Sequence, residues 1–334
     1  MKKWLIITLI IVTALLYAGF MAYWFTGPGA LQEDTVPTTQ TEVSLLPTEE
    51  TALPTQSVTV ATQAPPPAPI MPENYTLTAR HAFVYDCSTE SLLFTLGDQQ
   101  QSIAPASLTK LLTAYVALQH LPKDRLITAG EEVTWIDPAS SVAFVKPGDT
   151  LSVEMLAEGM LLQSGNDAAY ALAVAAGRVI AKEETMAARN ALVVFMKEVN
   201  RQAQALGLTD TYFVTPDGLD ADNHRTTPAD MLKIALLVME EPTLRHYAGV
   251  PKDTVTFESG ANHDWLNTNF LLQPESPYYC PEACGMKTGY TSKAGACMIA
   301  TFYTGDRYLL IGIFGCPQYE DRFADAMFLY EMYR

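Results

Sequence analysis

Three short groups of residues carry side chains whose types and spacing suit covalent chemistry. Ser107-Leu108-Thr109-Lys110 sets a hydroxyl and an amine three positions apart. On a helix, residues at that spacing share a face, so the Lys110 amine lies one turn beyond the Ser107 hydroxyl. A serine hydroxyl is a weak nucleophile and needs a base. A lysine can serve when burial and neighbouring cations lower its pKa. A helix N-terminus at Ser107 would also turn backbone N–H groups toward a developing oxyanion. Taken alone, the same residues describe a serine helix cap followed by a solvated lysine.

Ser164-Gly165-Asn166-Asp167 is the second group. A turn made tight by Gly165 would present Ser164 and Asn166 to one cleft. There Ser164 can relay a proton, and Asn166 can bond a substrate amide and hold Lys110 in place. Its bland alternative is a capped helix–loop–helix. Lys287-Thr288-Gly289-Tyr290 is the third, read as a strand whose backbone could pair with an extended peptide, with Gly289 allowing close approach. The Lys287 cation would lower the pKa of Lys110 and draw an anionic substrate. An edge strand with a solubilising lysine is the alternative. Each group is weak alone, and their order along one chain is the signal.

These groups need elements to hold them. Ala82–Tyr85 and Leu92–Phe94 read as strands around a turn at Ser88–Glu90. Helices are expected over Ser107–His120, Val153–Leu162, Asp167–Ala176 and Thr185–Leu206, the last stopped by Gly207. Another runs from Pro228 to Met239, with Thr227 as N-cap and Pro228 at the first helical position. Ala296–Tyr303 and Tyr308–Phe314 flank Thr304-Gly305-Asp306-Arg307 as a hairpin, and Asp321–Tyr333 closes the chain as a helix. Strands at both ends with helices between them predict one sheet assembled from the termini. The expected class is α+β, an antiparallel sheet flanked by helices with an all-helical subdomain.

The remainder of the 334 residues sets the context. A hydrophobic content of 49% suits a folded body. A net charge of −16 would repel phosphate backbones, so nucleic acid is not an expected partner. From Trp4 to Phe25 the chain has no charged residue, and Lys2 and Lys3 precede it. As a helix this run rises roughly 33 Å, enough to span a bilayer core. Residues 1–26 are therefore expected to be a transmembrane signal-anchor with the body outside the cell membrane. A cleaved signal peptide is the alternative, although the apolar run exceeds the usual h-region and lacks a small-x-small site. Residues 27–74 hold nine of the 21 prolines, six acidic residues and no Lys or Arg. Residues 27–78 are expected to form an extended disordered stalk, and residues 79–334 the folded domain.

Five cysteines remain: Cys87, Cys280, Cys284, Cys297 and Cys316. With no histidine at ligand spacing, no metal is expected, and no cofactor is called for. A disulfide is permitted outside the membrane. Cys280 with Cys284 is the easiest pair to imagine, and Cys297 with Cys316 could face each other across the terminal hairpin.

Together the motifs resemble those of the serine penicillin-binding proteins and serine β-lactamases. The similarity is greatest to the low-molecular-mass D-alanyl-D-alanine carboxypeptidases, the peptidase S11-like group. It rests on Ala106–Ala114, Leu161–Ala169, Phe213–Asp220, His224–Thr227 and Asn267–Asn269 beside the Lys-Thr-Gly segment, and it spans residue 79 to the end. The resemblance implies a serine β-lactamase/transpeptidase-like fold. It implies a serine hydrolase that removes the terminal D-alanine from peptidoglycan stem peptides and is acylated by β-lactams. Ser107 would be the nucleophile and Lys110 its base, with Ser164 and Asn166 completing the proton path. Lys287, Thr288 and Gly289 would bind the substrate, and the backbone N–H groups of Ser107 and Tyr290 would form the oxyanion hole. Arg322 would meet the terminal carboxylate; a solvated helix arginine is its alternative. Many members of that group also carry a β-rich second domain and a C-terminal amphipathic helix, whereas here attachment is expected at the N-terminus. A β-lactamase remains an alternative, though no Glu motif is assignable to its deacylation. So does a non-catalytic β-lactam sensor or wall-binding module, but only Met1-Lys2-Lys3 would be left to signal inside the cell.

Overall fold

Residues 75–334 are described by the computed structural model. The anchor expected at 1–26 and the stalk up to residue 74 lie outside the described residues. Among the described residues no helix is long and apolar enough to cross a membrane. Residues 75–78, placed by composition at the end of the stalk, are tied to the body. Asp325 accepts hydrogen bonds from the Tyr75 hydroxyl (2.8 Å), the Thr78 N–H (3.0 Å) and the Ala79 N–H (2.8 Å).

Along the chain, β1 (His81–Asp86) and β2 (Ser91–Leu96) form the first hairpin. A 3-10 turn over Ala106–Leu108 leads into α1 (Thr109–His120). Next come β3 (Leu126–Thr128), β4 (Thr150–Ser152), α2 (Val153–Leu162), α3 (Asn166–Ala181) and α4 (Ala188–Ala205). The chain continues through α5 (Pro228–Glu240), α6 (Pro242–Gly249), β5 (Lys252–Thr256) and β6 (Asn262–Leu266). It ends with β7 (Ala283–Thr291), β8 (Gly295–Tyr303), β9 (Tyr308–Cys316) and α7 (Asp321–Tyr333).

The five-stranded antiparallel sheet has the order β2-β1-β9-β8-β7. It joins the two ends of the folded region through the β1–β9 pairing, in which Ala82 faces Ile313 and Val84 faces Ile311. Period-two alternation divides the side chains between two cores. Phe83, Cys297, Ile299, Leu310 and Phe314 face the helices of the middle segment. Ala82, Val84, Met298, Ile311 and Ile313 face α7 through Phe323, Ala326, Leu329 and Tyr330. This is the α+β arrangement expected.

Element ends follow local chemistry. The Thr227 hydroxyl accepts from the Asp230 N–H at 3.1 Å with Pro228 in the first turn, as the sequence signalled. Gly207, at φ +72°, follows the last residues of α4. α3 runs on to Ala181, five residues past the expected end, and stops where Lys182 turns left-handed. The small β3–β4 and β5–β6 ladders and α6 were not foreseen. Each strand of these ladders buries only one residue, too little to produce a hydrophobic period.

All five cysteines are free thiols, so neither suggested disulfide forms. Cys297 and Cys316 lie on opposite sides of the sheet, one in each core, because β8 and β9 pair Ala296 with Cys316. Cys280 instead points its thiol to the Glu282 carboxylate at 3.3 Å, and Cys284 to the Glu282 carbonyl at 3.4 Å.

Candidate active site

Ser107 sits in the first turn ahead of α1, directly after Ala106, whose φ of +50° is left-handed. An alanine there costs about 1–3 kcal/mol and persists only when its surroundings impose it. Here they do. The Thr109 hydroxyl donates to the Ala106 carbonyl at 2.9 Å, and His224 Nε2 lies 3.0 Å from that hydroxyl. His224 Nδ1 accepts the Val214 N–H at 3.1 Å, which assigns the proton to Nε2 and makes the ring a donor to Thr109. On the other side Gly218, at φ +90°, comes so close that a Cβ would lie 1.9 Å from the Ala106 oxygen. Only glycine permits that approach.

Lys110 is fully buried, and its Nζ donates to Ser107 Oγ at 2.7 Å and to the Asp217 carbonyl at 2.9 Å. The expected bond to Asn166 is not among them. Burial lowers the Lys110 pKa from 10.5 to about 8, against the opposing pull of the Asp217 and Asp167 carboxylates. Lys287, expected to depress Lys110, is not among the groups that shift it; the repulsion is felt instead at Lys287. That amine is held well below the usual lysine value by burial first, then by the Lys110 and Arg322 cations. An amine free of its proton for part of the time near neutrality, at hydrogen-bond distance from a hydroxyl, can accept that hydroxyl's proton.

The Ser164-Gly165-Asn166 turn joins α2 to α3. The left-handed residue is Ser164, at φ +59°, and not Gly165, whose φ is −59°. Glycine is required at 165 for a different reason: a Cβ would lie 2.7 Å from that of Ala143. The loop carrying Ala143 is pinned to the start of α3. The Asp167 carboxylate accepts the N–H groups of Ala143 (2.8 Å) and Val145 (2.9 Å), and Asn166 N–H donates to the Ser141 carbonyl (2.9 Å). Burial raises the Asp167 pKa, and these backbone donors oppose it.

β7 forms the opposite wall. A Cβ on Gly289 would lie 3.0 Å from the Ser107 nitrogen, so the strand passes directly beside the backbone of Ser107. Lys287 is buried and donates to the Thr288 carbonyl at 3.0 Å; it lies beneath the cleft rather than on its surface. Thr288 Oγ1 meets Thr268 Oγ1 at 2.6 Å.

A cleft of about 380 Å³ opens over these residues, lined by Ser107, Ser164, Asn166, Thr288, Gly289, Tyr290 and Arg322. The three sequence motifs thus meet in one place. Arg322 is not a solvated helix arginine: it is wholly buried, and its Nη1 donates to the Gly289 carbonyl at 2.9 Å. Sequence reasoning missed two parts of the lining. One is the 137–141 loop, whose Asp137, Ser140 and Ser141 carry no motif, and the other is Tyr319. The Asp217–Asp220 segment, noted only within the resemblance, supplies another wall.

A family model described as D-alanyl-D-alanine carboxypeptidase matches residues 68–317. Among related proteins, the D-alanyl-D-alanine carboxypeptidase DacF of Bacillus subtilis is 27% identical over 252 residues, covering 74% of this chain and 60% of its own length. DacC of Escherichia coli is 34% identical over 240 residues, covering 69% of this chain and 55% of its own. The chain thus spans somewhat over half the length of these relatives. Among solved structures, the Streptomyces K15 DD-transpeptidase superposes with a TM-score of 0.69 at 26% identity, covering 79% of this chain and 98% of that one. Penicillin-binding protein D2 from Listeria monocytogenes, in its cefotaxime-bound form, gives a TM-score of 0.62 at 29% identity over 78% and 99% of the two chains. The matched stretch takes in all three motifs and the whole five-stranded sheet, and the chain belongs to the D-alanyl-D-alanine carboxypeptidase family, peptidase S11.

Proposed function

We propose that this protein is a serine D-alanyl-D-alanine carboxypeptidase that trims peptidoglycan stem peptides through an acyl-enzyme on Ser107. One observation carries the proposal: a buried Lys110 amine, lowered to about 8, lies 2.7 Å from Ser107 Oγ inside the cleft. In this reaction Lys110 accepts the Ser107 proton as Oγ attacks the carbonyl between the two D-alanines. The N–H groups of Ser107 and Tyr290 receive the oxyanion. The close passage of Gly289 beside the Ser107 nitrogen supports this pairing. The proton passes from Lys110, by way of Ser164, to the nitrogen of the leaving D-alanine. Water then cleaves the ester, and Ser107 regains its proton.

Thr288, Asn166 and Arg322 hold the substrate, with Arg322 toward its terminal carboxylate. Lys287 lies beneath the cleft and braces the strand that carries Thr288, through its bond to the Thr288 carbonyl. Penicillin acylates Ser107 by the same attack. The uncharged stretch from Trp4 to Phe25 supports a membrane anchor with the cleft outside the cell. Carbonate extraction of the full chain from membranes tests that part, and release of uncleaved protein would refute it.

The central test incubates the protein with a stem pentapeptide and follows free D-alanine by mass spectrometry, beside gel labelling with fluorescent penicillin. Release and labelling are expected for the wild type, and neither for Ser107→Ala. Equal labelling of the two sinks the proposal. Labelling without peptide turnover would point to a sensor, and rapid penicillin turnover to a β-lactamase.

A further inference from the structure

Arg322 lines the cleft yet exposes none of its surface. Its Nη1 donates to Gly289, while Nε and Nη2 have no hydrogen-bond partner among the described residues. A buried cation with two unmade hydrogen bonds is costly. The Tyr319 ring lies over the guanidinium, 3.8 Å from ring centroid to Cζ, and Phe323 lies 4.8 Å away. Phe323, on α7, is fully buried in the core between that helix and the sheet, whereas Tyr319 keeps 37% of its surface exposed. Tyr319 stands on the short link between β9 and α7, where residues 317–320 are all exposed. It also lines the cleft and meets the exposed Tyr290 edge-on at 6.1 Å. Of the two rings over this guanidinium, Tyr319 is thus the one with room to turn into solvent.

We infer that Tyr319 is a gate on Arg322: its ring covers the guanidinium in the free protein and swings aside when the terminal carboxylate of a peptide enters. Tyr319 thereby sets how strongly the cleft prefers a free C-terminal carboxylate to a blocked one. The inference rests on the assignment of Arg322 to that carboxylate. An aromatic face compensates a buried cation only in part. A carboxylate can satisfy both free donors at once, through charge-assisted hydrogen bonds of the kind that arginine forms best. The exchange favours a carboxylate, but the ring contact must be given up, and affinity for the free acid is reduced by that amount. A C-terminal amide carries no charge to drive the exchange.

The test reads binding rather than turnover, on the full chain carrying Ser107→Ala. Calorimetric or NMR titration compares acetyl-D-alanyl-D-alanine with its C-terminal amide. The parent is expected to prefer the free acid. Adding Tyr319→Ala should tighten free-acid binding between about 2-fold and 30-fold, the range that a cation–π contact supports, and leave the amide unchanged. Tyr319→Phe, which keeps the ring, should match the parent. With Arg322→Ala also present, the gain from Tyr319→Ala should vanish. Equal change for both peptides, a gain that survives Arg322→Ala, a Tyr319→Phe that behaves like Tyr319→Ala, or a parent with no free-acid preference would each overturn the gate. Failure of D-alanine release by the wild type would instead count against the acyl-transfer proposal, since binding here requires no catalysis.

Discussion

His224 Nε2 lies 3.0 Å from the Thr109 hydroxyl, 115 residues away in sequence, and that hydroxyl in turn holds the Ala106 carbonyl. All three residues are buried. The chain of donors runs from the loop of residues 213–224 to the left-handed turn immediately before Ser107. It gives a physical reason why an alanine holds φ +50° at that position. His224 and Thr109 are positioning residues in this picture, acting on Ser107 through the backbone.

Thr109→Val keeps the shape and removes the hydroxyl, leaving His224 Nε2–H unpaired and the Ala106 carbonyl with only its backbone N–H donor at residue 109. A stability loss of about 1–3 kcal/mol is expected. Acylation per folded molecule should slow on the order of 10- to 100-fold as Ser107 drifts from alignment. Thr109→Ser should restore both. Chemical unfolding and stopped-flow penicillin acylation read the two effects separately, and an unchanged acylation rate would leave Thr109 with a structural role alone.

Burial holds the His224 pKa at about 4, below its usual 6.5, against the opposing influence of Asp217 and Asp220. The folded state therefore disfavours the protonated ring. Between about pH 4 and 6.5 the unfolded chain binds more protons at this site, so its contribution makes stability rise with pH across that window and level off above it. The full effect is on the order of 3 kcal/mol. Urea unfolding at pH 4.5 and 6.5 should show a smaller difference for His224→Asn than for the wild type; equal differences would contradict the assignment.

Lys110 is the proton acceptor only when it is neutral, and its pKa is lowered to about 8. Acylation by penicillin should accordingly accelerate as pH rises through about 8 and then flatten. Lys110→Arg keeps the charge and cannot lose its proton near neutrality. It should slow acylation at least about 100-fold at every pH tested. A pH-independent acylation rate in the wild type would argue against Lys110 as the base.

Gly218→Ala places a Cβ 1.9 Å from the Ala106 oxygen at a φ of +90°. Something must shift, and the nearest groups are the turn before Ser107 and Thr109. We expect a stability loss of more than about 1 kcal/mol, with slower acylation in the fraction that remains folded. Thermal unfolding with penicillin titration checks both. Gly207→Ala, where a Cβ would meet nothing within 4 Å although φ is also left-handed, controls for the backbone effect alone.

The elements legible in the sequence were those with strong local signals. The ends of α2 and α7 fell where expected, and Thr227-Pro228 marked the start of α5. The β8–β9 hairpin followed from two apolar runs around Thr304–Arg307. Strands at both ends predicted the joined sheet, because hydrophobic period and turn chemistry are properties of neighbouring residues. Ladders of three to five residues with one buried side chain carry no such signal, and they were missed.

The site divides in the same way. Residue types and helical spacing alone determined that Lys110 could face Ser107, since residues three apart on a helix are neighbours on one face. The order of the three motifs pointed to a common cleft. Which groups lower and anchor Lys110, that Ser164 and not Gly165 turns left-handed, and that Arg322 is buried under Tyr319 were decided only by tertiary structure. Each depends on contacts between segments far apart in the chain: the Asp217 carbonyl on Lys110, Ala143 against Gly165, and Gly289 against Arg322. Burial and close packing set a pKa or exclude a Cβ through neighbours that only the folded chain brings together, and no local pattern encodes them.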